Sequence, residues 1–387
     1  MKRSGFEAWI VGGCVRDALL GRTPDDWDIT TSALPEEVFQ TLTRSGIAVR
    51  KSTGLKHGTV TAFFKTQDGY ENYEITTYRS EGDYSDGRHP DSVSFVKSLE
   101  ADLSRRDFTV NAMASDGETL VDPFDGQTDI NNKLLRAVGD PGKRFKEDAL
   151  RILRGLRFAS QLGFEIEEDT LRAMSEFAPH VRTISSERIA VEFDKLLAGQ
   201  YCYDIIMKYG DMLDVCVGKS RDRSSYCRDT FVDKSDPDAL FALYFGENAI
   251  SAAKDLKMSN ERKRAISGYI EAVNTKLPDN RADALRFMRR FPDTVKTLHF
   301  CKKYEPDLEI DSALELVNKL RKEDACYDIG SLEITGNDLI SLGYSGPAVG
   351  KSLEDALEAV ICEKVPNEKN ALLSYLKEEN VKNNVLG

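Results

Sequence analysis

Runs of β-branched and aromatic residues, which predict strands, are confined to the first 140 of the 387 residues. They lie at 8–11, 28–31, 58–63 and 73–77, with helix starts at Val15 and Pro35 between them. From residue 141 onward the pattern changes. The segments 147–162, 168–177 and 186–197 carry apolar residues at three- and four-residue spacings, and no strand hairpin is indicated after them. We therefore predict an α+β fold, in which a mixed α/β domain precedes a long all-helical portion.

The composition excludes membrane spans and disulfide frameworks. There is no run of about 18 apolar residues, and the apolar piece at 8–11 is too short for a signal peptide. Seven scattered cysteines form no CxxC pair, and four isolated histidines argue against a histidine-based metal hydrolase. We expect a cytoplasmic protein without a membrane partner.

The segment Gly12-Gly13-Cys14-Val15-Arg16-Asp17 lies where a strand is predicted to turn into a helix. Glycines let a phosphate approach the backbone, and the amides at a helix start attract anions. Arg16 would add a charged contact to the same anion. Gly13 and Arg16 are therefore candidate nucleotide-binding residues. An ordinary structural turn remains the alternative for this segment alone.

Two carboxylates follow in Asp26-Trp27-Asp28. At strand period Asp26 and Asp28 would share one face, with Trp27 packed on the other. Adjacent carboxylates repel each other unless a cation lies between them, and Mg²⁺ prefers one or two carboxylates plus phosphate oxygens. With the glycine turn, the pair predicts nucleotidyl or phosphoryl transfer, in which Asp26 and Asp28 are the catalytic metal ligands. A polar turn is the alternative, and Glu74 is a candidate third carboxylate.

The segment 105–113, which begins Arg105-Arg106-Asp107, supplies further polar side chains. Arginine forks such as that of Arg106 suit phosphate or ribose, and Asn111 suits a sugar hydroxyl. The alternative is a charged helix start, stabilised by Asp107.

The segment 147–158 combines acidic and basic residues in one predicted helix. An aspartate accepts from an exocyclic amine and an arginine donates to a ring nitrogen or carbonyl, so such a helix can read a base edge. A salt-bridged surface helix is the alternative. On a helix, one face would hold Glu147, Arg151, Arg154 and Phe158, with Asp148 beside it and Arg157 about 120° from Arg151.

The net charge of −12 is unevenly distributed. Between residues 254 and 303, thirteen Lys and Arg stand against six Asp and Glu, a local charge of +7. Such a stretch could follow phosphates or be a solvated helix surface.

These segments, in this order, resemble the class II tRNA nucleotidyltransferases, the CCA-adding enzymes of the polymerase β-like superfamily. The glycine segment resembles the first motif, Asp26-Trp27-Asp28 the metal-binding DxD, and 86–90 the flexible loop. Residues 105–113 and 122–126 resemble the second and third motifs. Residues 147–157 resemble the nucleotide-templating helix, and 186–189 the segment after it. Weaker similarity at 256–259 and 334–339 extends the match over nearly the whole chain.

The resemblance implies a seahorse-shaped protein with a head at 1–140, a neck at 141–200, a body at 201–305 and a tail at 306–387. The substrates would be CTP, ATP and the 3′ end and acceptor stem of tRNA, without DNA, and the cofactor Mg²⁺. Asp26 and Asp28 would hold the metal. The implied nucleotide-binding residues are Gly13, Arg16, Arg106, Asp148, Arg151, Arg154 and Arg157.

Three alternatives to complete CCA addition remain open at this point: an A-adding enzyme, a poly(A) polymerase and a catalytically silent RNA-binding protein. The loop at 80–90 argues against a CC-only enzyme, whose loop is shortened. The intact Asp26 and Asp28 argue against the silent protein.

Overall fold

The computed structural model describes residues 1–50, 58–66, 69–82 and 93–386. The strands in these ranges are β1 (Ala8–Val11), β2 (Asp28–Thr31), β3 (Ala48–Arg50), β4 (Thr59–Lys65), β5 (Tyr70–Thr77), β6 (Arg79–Glu81), β7 (Val93–Phe95), β8 (Ala114–Ser115), β9 (Leu120–Val121), β10 (Leu134–Leu135) and β11 (Glu165–Ile166).

Seven of these strands form one mixed sheet, in the order β3-β4-β5-β2-β1-β8-β9. β2 and β5 pair in parallel, and the other neighbours in the sheet are antiparallel. β6 pairs with β7, and β10 pairs in parallel with β11. β2, which begins with Asp28, therefore lies in the middle of the sheet between β5, which carries Glu74, and β1, which leads into the glycine turn.

Helices fill most of the remaining chain. They are α1 (Gly13–Leu19), α2 (Pro35–Arg44), α3 (Leu99–Ser104), α4 (Gly126–Asn131), α5 (Pro141–Glu147), α6 (Leu150–Leu162), α7 (Glu168–Phe177), α8 (Ser186–Leu197), α9 (Cys202–Val217), α10 (Pro237–Phe245), α11 (Ala249–Asp255), α12 (Asn260–Val273), α13 (Arg281–Arg290), α14 (Thr294–Tyr304), α15 (Asp311–Lys322), α16 (Gly336–Ser341), α17 (Pro347–Ile361) and α18 (Lys369–Leu386). No helix in the described ranges is long and apolar enough to cross a membrane.

Local sequence sets several of the helix ends. α2 begins with Pro35, and the Glu37 side chain accepts a hydrogen bond from the Leu34 amide (2.8 Å). α6 ends at Gly163, which has a φ of 72°. Both are signals that the sequence alone carries.

The chain divides into two compact units. The first comprises Met1–Arg223, Phe231–Phe241 and Ser251–Ser259, and it contains the sheet. Part of its core is formed where α2 covers β4 and β5, with Val38, Val60 and Ile75 buried together. The second comprises Ser224–Thr230, Ala242–Ile250 and Asn260–Gly387, and in the residues described it is helical around its own apolar core.

The predicted α+β fold is confirmed, with two local differences. The segment 147–162 is not one helix, because α5 ends at Glu147 and α6 begins at Leu150. The helical portion also contains one short strand, β11, which pairs with β10. The predicted loop motif at 86–90 lies outside the described residues.

Candidate active site

Gly12 and Gly13 lie where β1 ends and α1 begins. Gly12 has a φ of 87°, a left-handed backbone conformation that favours glycine. A Cβ atom at Gly12 would lie 3.0 Å from Nη1 of Arg106, so a side chain there would press on that guanidinium. The Gly12 amide donates to the carbonyl of Met113 at 3.2 Å. The glycine turn and the segment around Arg106 are therefore held together, although they are distant in sequence.

Asp28 is the first residue of β2 and pairs in register with Glu74 of the parallel strand β5. Its pKa is raised, first by desolvation and then by the negative charges of Asp26 and Glu74, while Arg106 opposes the shift. The negative charges of Asp26 and Glu74 therefore act on Asp28, and the cation Arg106 does not fully compensate them there.

This excess of negative charge fits a divalent cation bound by Asp26 and Asp28. Within the described residues no three His, Cys, Asp or Glu side chains are grouped as metal ligands, so Glu74 does not complete a set of three. Two carboxylates together with substrate phosphate oxygens are a donor set that Mg²⁺ accepts.

The predicted packing of Trp27 is wrong. β2 begins at Asp28, so Asp26 and Trp27 precede the strand and its alternation does not apply to them. The Trp27 side chain is 37% exposed instead of packed behind the sheet. The two aspartates influence each other through the local path of the chain and not because they share a strand face.

Arg105 and Arg106 follow the last turn of α3, and both contact Asp102 of that helix. Oδ1 of Asp102 accepts from Nε and Nη2 of Arg105 at 3.0 and 2.8 Å. Oδ2 accepts from Nη2 of Arg106 at 3.5 Å. Burial lowers the pKa of Arg106, and its Nε has no hydrogen-bond partner in the described residues. Arg106 is thus a partly buried cation, with a side chain 19% exposed, whose hydrogen bonds are incomplete.

A buried network leads from α1 to α6. Nη1 of Arg16 donates to Oδ1 of Asn111 at 2.6 Å, and Nδ2 of Asn111 donates to Asp107 at 3.2 Å. Asp107 also accepts from Nε of Arg154 at 2.8 Å, and Arg154 lies 3.7 Å from Glu192 of α8. Burial raises the pKa of Asp107, but the Arg154 charge outweighs it and holds the pKa below its ordinary value. The network joins the sheet-bearing segment to α6 through ionised groups.

The expected role of Asn111 at a sugar hydroxyl is not supported. Its amide oxygen and nitrogen are both engaged within this network, and the residue is buried. The Arg16 guanidinium is likewise engaged within the chain, since Nε and Nη2 donate to the two carboxylate oxygens of Asp17 at 2.9 Å each.

Phe158 is the centre of three guanidinium contacts. The guanidinium carbons of Arg16, Arg154 and Arg157 lie 5.2, 5.4 and 4.2 Å from its ring centroid. Arg157 also pairs with Glu192 at 3.0 Å. Arg157, which helix geometry placed apart from the others, is therefore next to Arg154, while Arg151 is directed elsewhere.

The expectation that residues 147–158 present one helix face needs correction at its start. Asp148 lies in extended backbone between α5 and α6, and its side chain accepts from the amide of Leu150 at 3.0 Å. Its other oxygen accepts from Nη2 of Arg188 at 3.0 Å. Asp148 therefore breaks the helix because its carboxylate hydrogen-bonds the local backbone.

Arg151 is directed back toward the segment around Arg106. Its Nη2 donates to the carbonyl of Arg105 at 3.0 Å and its Nη1 to Glu147 at 3.0 Å. Arg151 is thus fixed beside the arginine pair 105–106, and Glu147 on the preceding helix orients it.

Sequence reasoning missed three charged residues that hold this arrangement, Asp102, Arg188 and Glu192. Asp102 lies in a short helix beside another acidic residue, Glu100, and its only signal was a position three to four residues before the arginine pair. Arg188 and Glu192 share a face of α8, which contacts α6. No local pattern reveals that contact.

The basic stretch between residues 254 and 303 is partly neutralised within the chain. At least six of its thirteen cations form ion pairs with carboxylates of the described residues: Lys257, Lys276, Arg281, Arg286, Arg289 and Arg290. The local charge of +7 therefore overstates the positive potential that this stretch offers to an anionic partner.

Comparison with known proteins identifies the family. Residues 8–136 match the model described as poly A polymerase head domain. Residues 163–209 match the probable RNA and SrmB-binding site of polymerase A, and residues 235–376 match tRNA nucleotidyltransferase domain 2.

The similarity to characterised relatives extends over almost the full length. The CCA-adding enzyme of Streptococcus suis is 37% identical, with 97% of this chain and 94% of the relative covered. The CCA-adding enzyme of Enterococcus faecalis is 36% identical, with coverages of 98% and 93%. The crystal structure of the Bacillus stearothermophilus CCA-adding enzyme in complex with CTP superposes with a TM-score of 0.83 at 30% identity, covering 100% of this chain and 96% of that one. This chain belongs to the family of CCA-adding enzymes, the tRNA nucleotidyltransferases.

Proposed function

We propose that the chain adds C, C and A, taken from CTP and ATP, to the 3′ end of tRNA without a nucleic-acid template. One pyrophosphate is released at each addition. The observation that carries the proposal is the position of Arg106, which lies against the glycine turn and within the electrostatic influence of Asp28. A triphosphate and its metal need these groups side by side.

We infer that Asp26 and Asp28 hold Mg²⁺. Nucleotidyltransferases of this family use divalent metal ions. Mg²⁺ fits the all-oxygen donor set and the small number of protein ligands. When bound there, such an ion would supply positive charge that lowers the pKa of the attacking hydroxyl and stabilises the departing pyrophosphate.

The chain's own residues would bind and orient the nucleotide. The backbone at Gly13 and the guanidinium of Arg106 are proposed to contact the triphosphate. Arg16 is held in place by hydrogen bonds to Asp17 and Asn111, and its positive charge is proposed to stabilise the bound nucleotide beside the glycine turn. With the triphosphate held, the 3′ hydroxyl of the RNA attacks the α-phosphorus and pyrophosphate leaves in line.

Four residues are proposed to bind the nucleotide or read its base: Asp148, Arg151, Arg154 and Arg157. Asp148 and Arg151 have fixed orientations, set by Arg188 and Glu147 respectively. An aspartate and an arginine held in this way offer one acceptor and several donors to a base edge. Groups left unpaired by a wrong base would make the selection strong.

We also propose the division into head (1–140), neck (141–200), body (201–305) and tail (306–387), with tRNA bound by the last two. A cytoplasmic location is proposed because all seven cysteines are free thiols, as expected in a reducing compartment.

The test supplies purified protein, Mg²⁺ and labelled CTP or ATP with three tRNA transcripts, which end at the discriminator base, at C or at CC. We expect every transcript to be extended to CCA and then no further. Extension of the CC transcript alone would indicate an A-adding enzyme. Addition of many adenylates when ATP is the only nucleotide would indicate a poly(A) polymerase. A protein that binds tRNA without extending it would contradict the proposed activity.

A further inference from the structure

Asp102 is a buried carboxylate of α3, and the proposed reaction assigns it no role. Its side chain has no exposed surface. A carboxylate removed from water in this way is costly unless cations and hydrogen-bond donors surround it. The groups around Asp102 therefore indicate what it holds in place.

Among the described residues, at least four groups donate to Asp102, and they come from three parts of the sheet-bearing domain. Oδ1 accepts from Arg105 and from the amide of Arg79 of β6 at 3.2 Å. Oδ2 faces Nη2 of Arg106 at 3.5 Å and the hydroxyl of Thr30 at 3.3 Å. Thr30 lies on β2, two residues after Asp28.

Asp102 is the one carboxylate that forms an ion pair with Arg106 in the described part of the chain. A Cβ atom at Gly12 of the glycine turn would lie 3.0 Å from the same guanidinium, and the charges of Arg105, Asp107 and Asp28 act on it without forming an ion pair among the described residues. Without Asp102, no carboxylate among the described residues would form an ion pair with Arg106 before a nucleotide bound. The guanidinium would then be free to turn toward Asp28.

We infer that Asp102 is a positioning residue, which holds the Arg106 guanidinium against the glycine turn so that it meets the triphosphate of either nucleotide. The inference rests on the proposed function and adds a residue to it. Asp102 does not touch the nucleotide itself. Asp102 acts through Arg106. The hydroxyl of Thr30 hydrogen-bonds Asp102 and so fixes its position relative to β2, the strand that begins with Asp28.

The test is Asp102→Asn, measured as kcat and KM for CTP and for ATP. The amide keeps the size of the side chain and can still accept one hydrogen bond. It removes the charge and presents an N–H group to one of the arginines. We expect KM to rise roughly tenfold for both nucleotides, the loss of one charged hydrogen bond. The kcat at saturating nucleotide should stay within about threefold, and the choice between CTP and ATP should not change.

Asp129→Asn is the matched control. Asp129 is a buried aspartate of α4 that accepts from Thr109 at 2.6 Å and pairs with Arg136 at 3.2 Å. Among the described residues, its side-chain hydrogen bonds and ion pair involve Thr109 and Arg136, and neither the glycine turn nor Arg106. We expect a comparable loss of thermal stability and an unchanged nucleotide KM. Equal KM increases in the two variants would overturn the inference, since general destabilisation would then explain both.

Arg106→Ala separates this inference from the proposed function. If Arg106→Ala raises KM and Asp102→Asn does not, Arg106 keeps its role and the role of Asp102 is rejected. If the wild-type protein transfers no nucleotide to tRNA, the proposed function itself fails. If the Asp102→Asn variant does not fold, Thr30→Val is measured in its place. That substitution removes the hydroxyl that holds Oδ2 of Asp102, the oxygen that faces Arg106. There we expect KM to rise about threefold, and an unchanged KM would reject the inference.

Discussion

At the scale of single residues, the site is an arrangement of charges that do not balance locally. Asp28 carries a raised pKa because it is desolvated and lies near Asp26 and Glu74. Arg106 carries a lowered pKa because it is buried. Both groups are less favourable in their charged forms than in water, and each would gain when a metal–triphosphate complex supplies the missing opposite charge.

The substitution Asp28→Asn tests whether the uncompensated negative charge at Asp28 serves to bind a metal ion. The amide keeps the shape of the side chain and removes the metal-binding charge. We expect nucleotide incorporation to fall by about a thousandfold or more, because several kcal/mol of charge stabilisation are lost. Binding of tRNA in a gel-shift assay should be nearly unchanged, since Asp28 lies in the proposed catalytic head.

Asp25→Asn is the control for that experiment. It makes the same chemical change three residues earlier, at an exposed aspartate that is not among the causes of the Asp28 pKa shift. Full activity is expected in this variant. An active Asp28→Asn protein would show that the metal assignment is wrong.

The residues that bear charge in the site could be found from the sequence, but their partners could not. Gly13, Asp26, Asp28 and Arg106 stood out because glycine turns, paired carboxylates and arginine forks are chemically distinctive at short spacing. The partners of Asn111 could not be predicted, because its amide suits a sugar and a buried network equally well and only the fold brings Arg16 to it.

At the scale of elements, the junction of α5 and α6 decides how the proposed base-reading residues are presented. The apolar spacing of 147–162 fits one helix, and periodicity alone cannot detect the break. Asp148 accepts from the Leu150 amide and so starts a new helix, as a side-chain cap does. The break turns Asp148 toward Arg188 of α8 and leaves Arg151 on α6. Helix existence was therefore predictable, and the exact start was not.

Gly155 allows α6 to pack closely enough for this presentation. A Cβ atom at Gly155 would lie 2.9 Å from the ring of Phe108 and 3.2 Å from the methyl group of Met174. Gly155→Ala should therefore destabilise the protein by about 1–3 kcal/mol through overpacking, although alanine is the better helix former. It should also raise the nucleotide KM, because Arg154 and Arg157 flank the strained position. Thermal unfolding and steady-state kinetics measure the two effects.

Gly268 supplies the opposite case for comparison. It also lies inside a helix, α12, and a Cβ there would meet no atom within 4 Å. Gly268→Ala should raise the stability of its own compact unit by roughly 0.5–1 kcal/mol through helix propensity. If Gly155→Ala also proved stabilising, α6 would have to pack less tightly than the structure indicates.

At the scale of the whole molecule, the distribution of charge matters more than its sum. A chain of net charge −12 can bind tRNA if enough of its cations lie unpaired on one surface. The sequence located a basic stretch but could not tell which of its cations are neutralised by carboxylates of the same unit. The partners lie as far away as α17, which supplies Glu354 to Arg289 of α13. Counting charges along a sequence therefore overestimates the phosphate-binding capacity.

The difference between paired and unpaired cations leads to a prediction for tRNA binding. Arg264 of α12 is exposed and has no ion-pair partner among the residues described, whereas Arg289 binds Glu354 at 2.6 Å. Arg264→Ala should weaken tRNA binding and reduce the slope of log K against log salt concentration by about 1, the value for one lost phosphate contact. Arg289→Ala makes the same change in net charge and should leave the slope nearly unaltered. Filter binding of tRNA between low and moderate salt measures both slopes. Equal reductions would mean that tRNA responds to the overall charge of the second unit, and that the ion pairs of α13 do not shield its arginines.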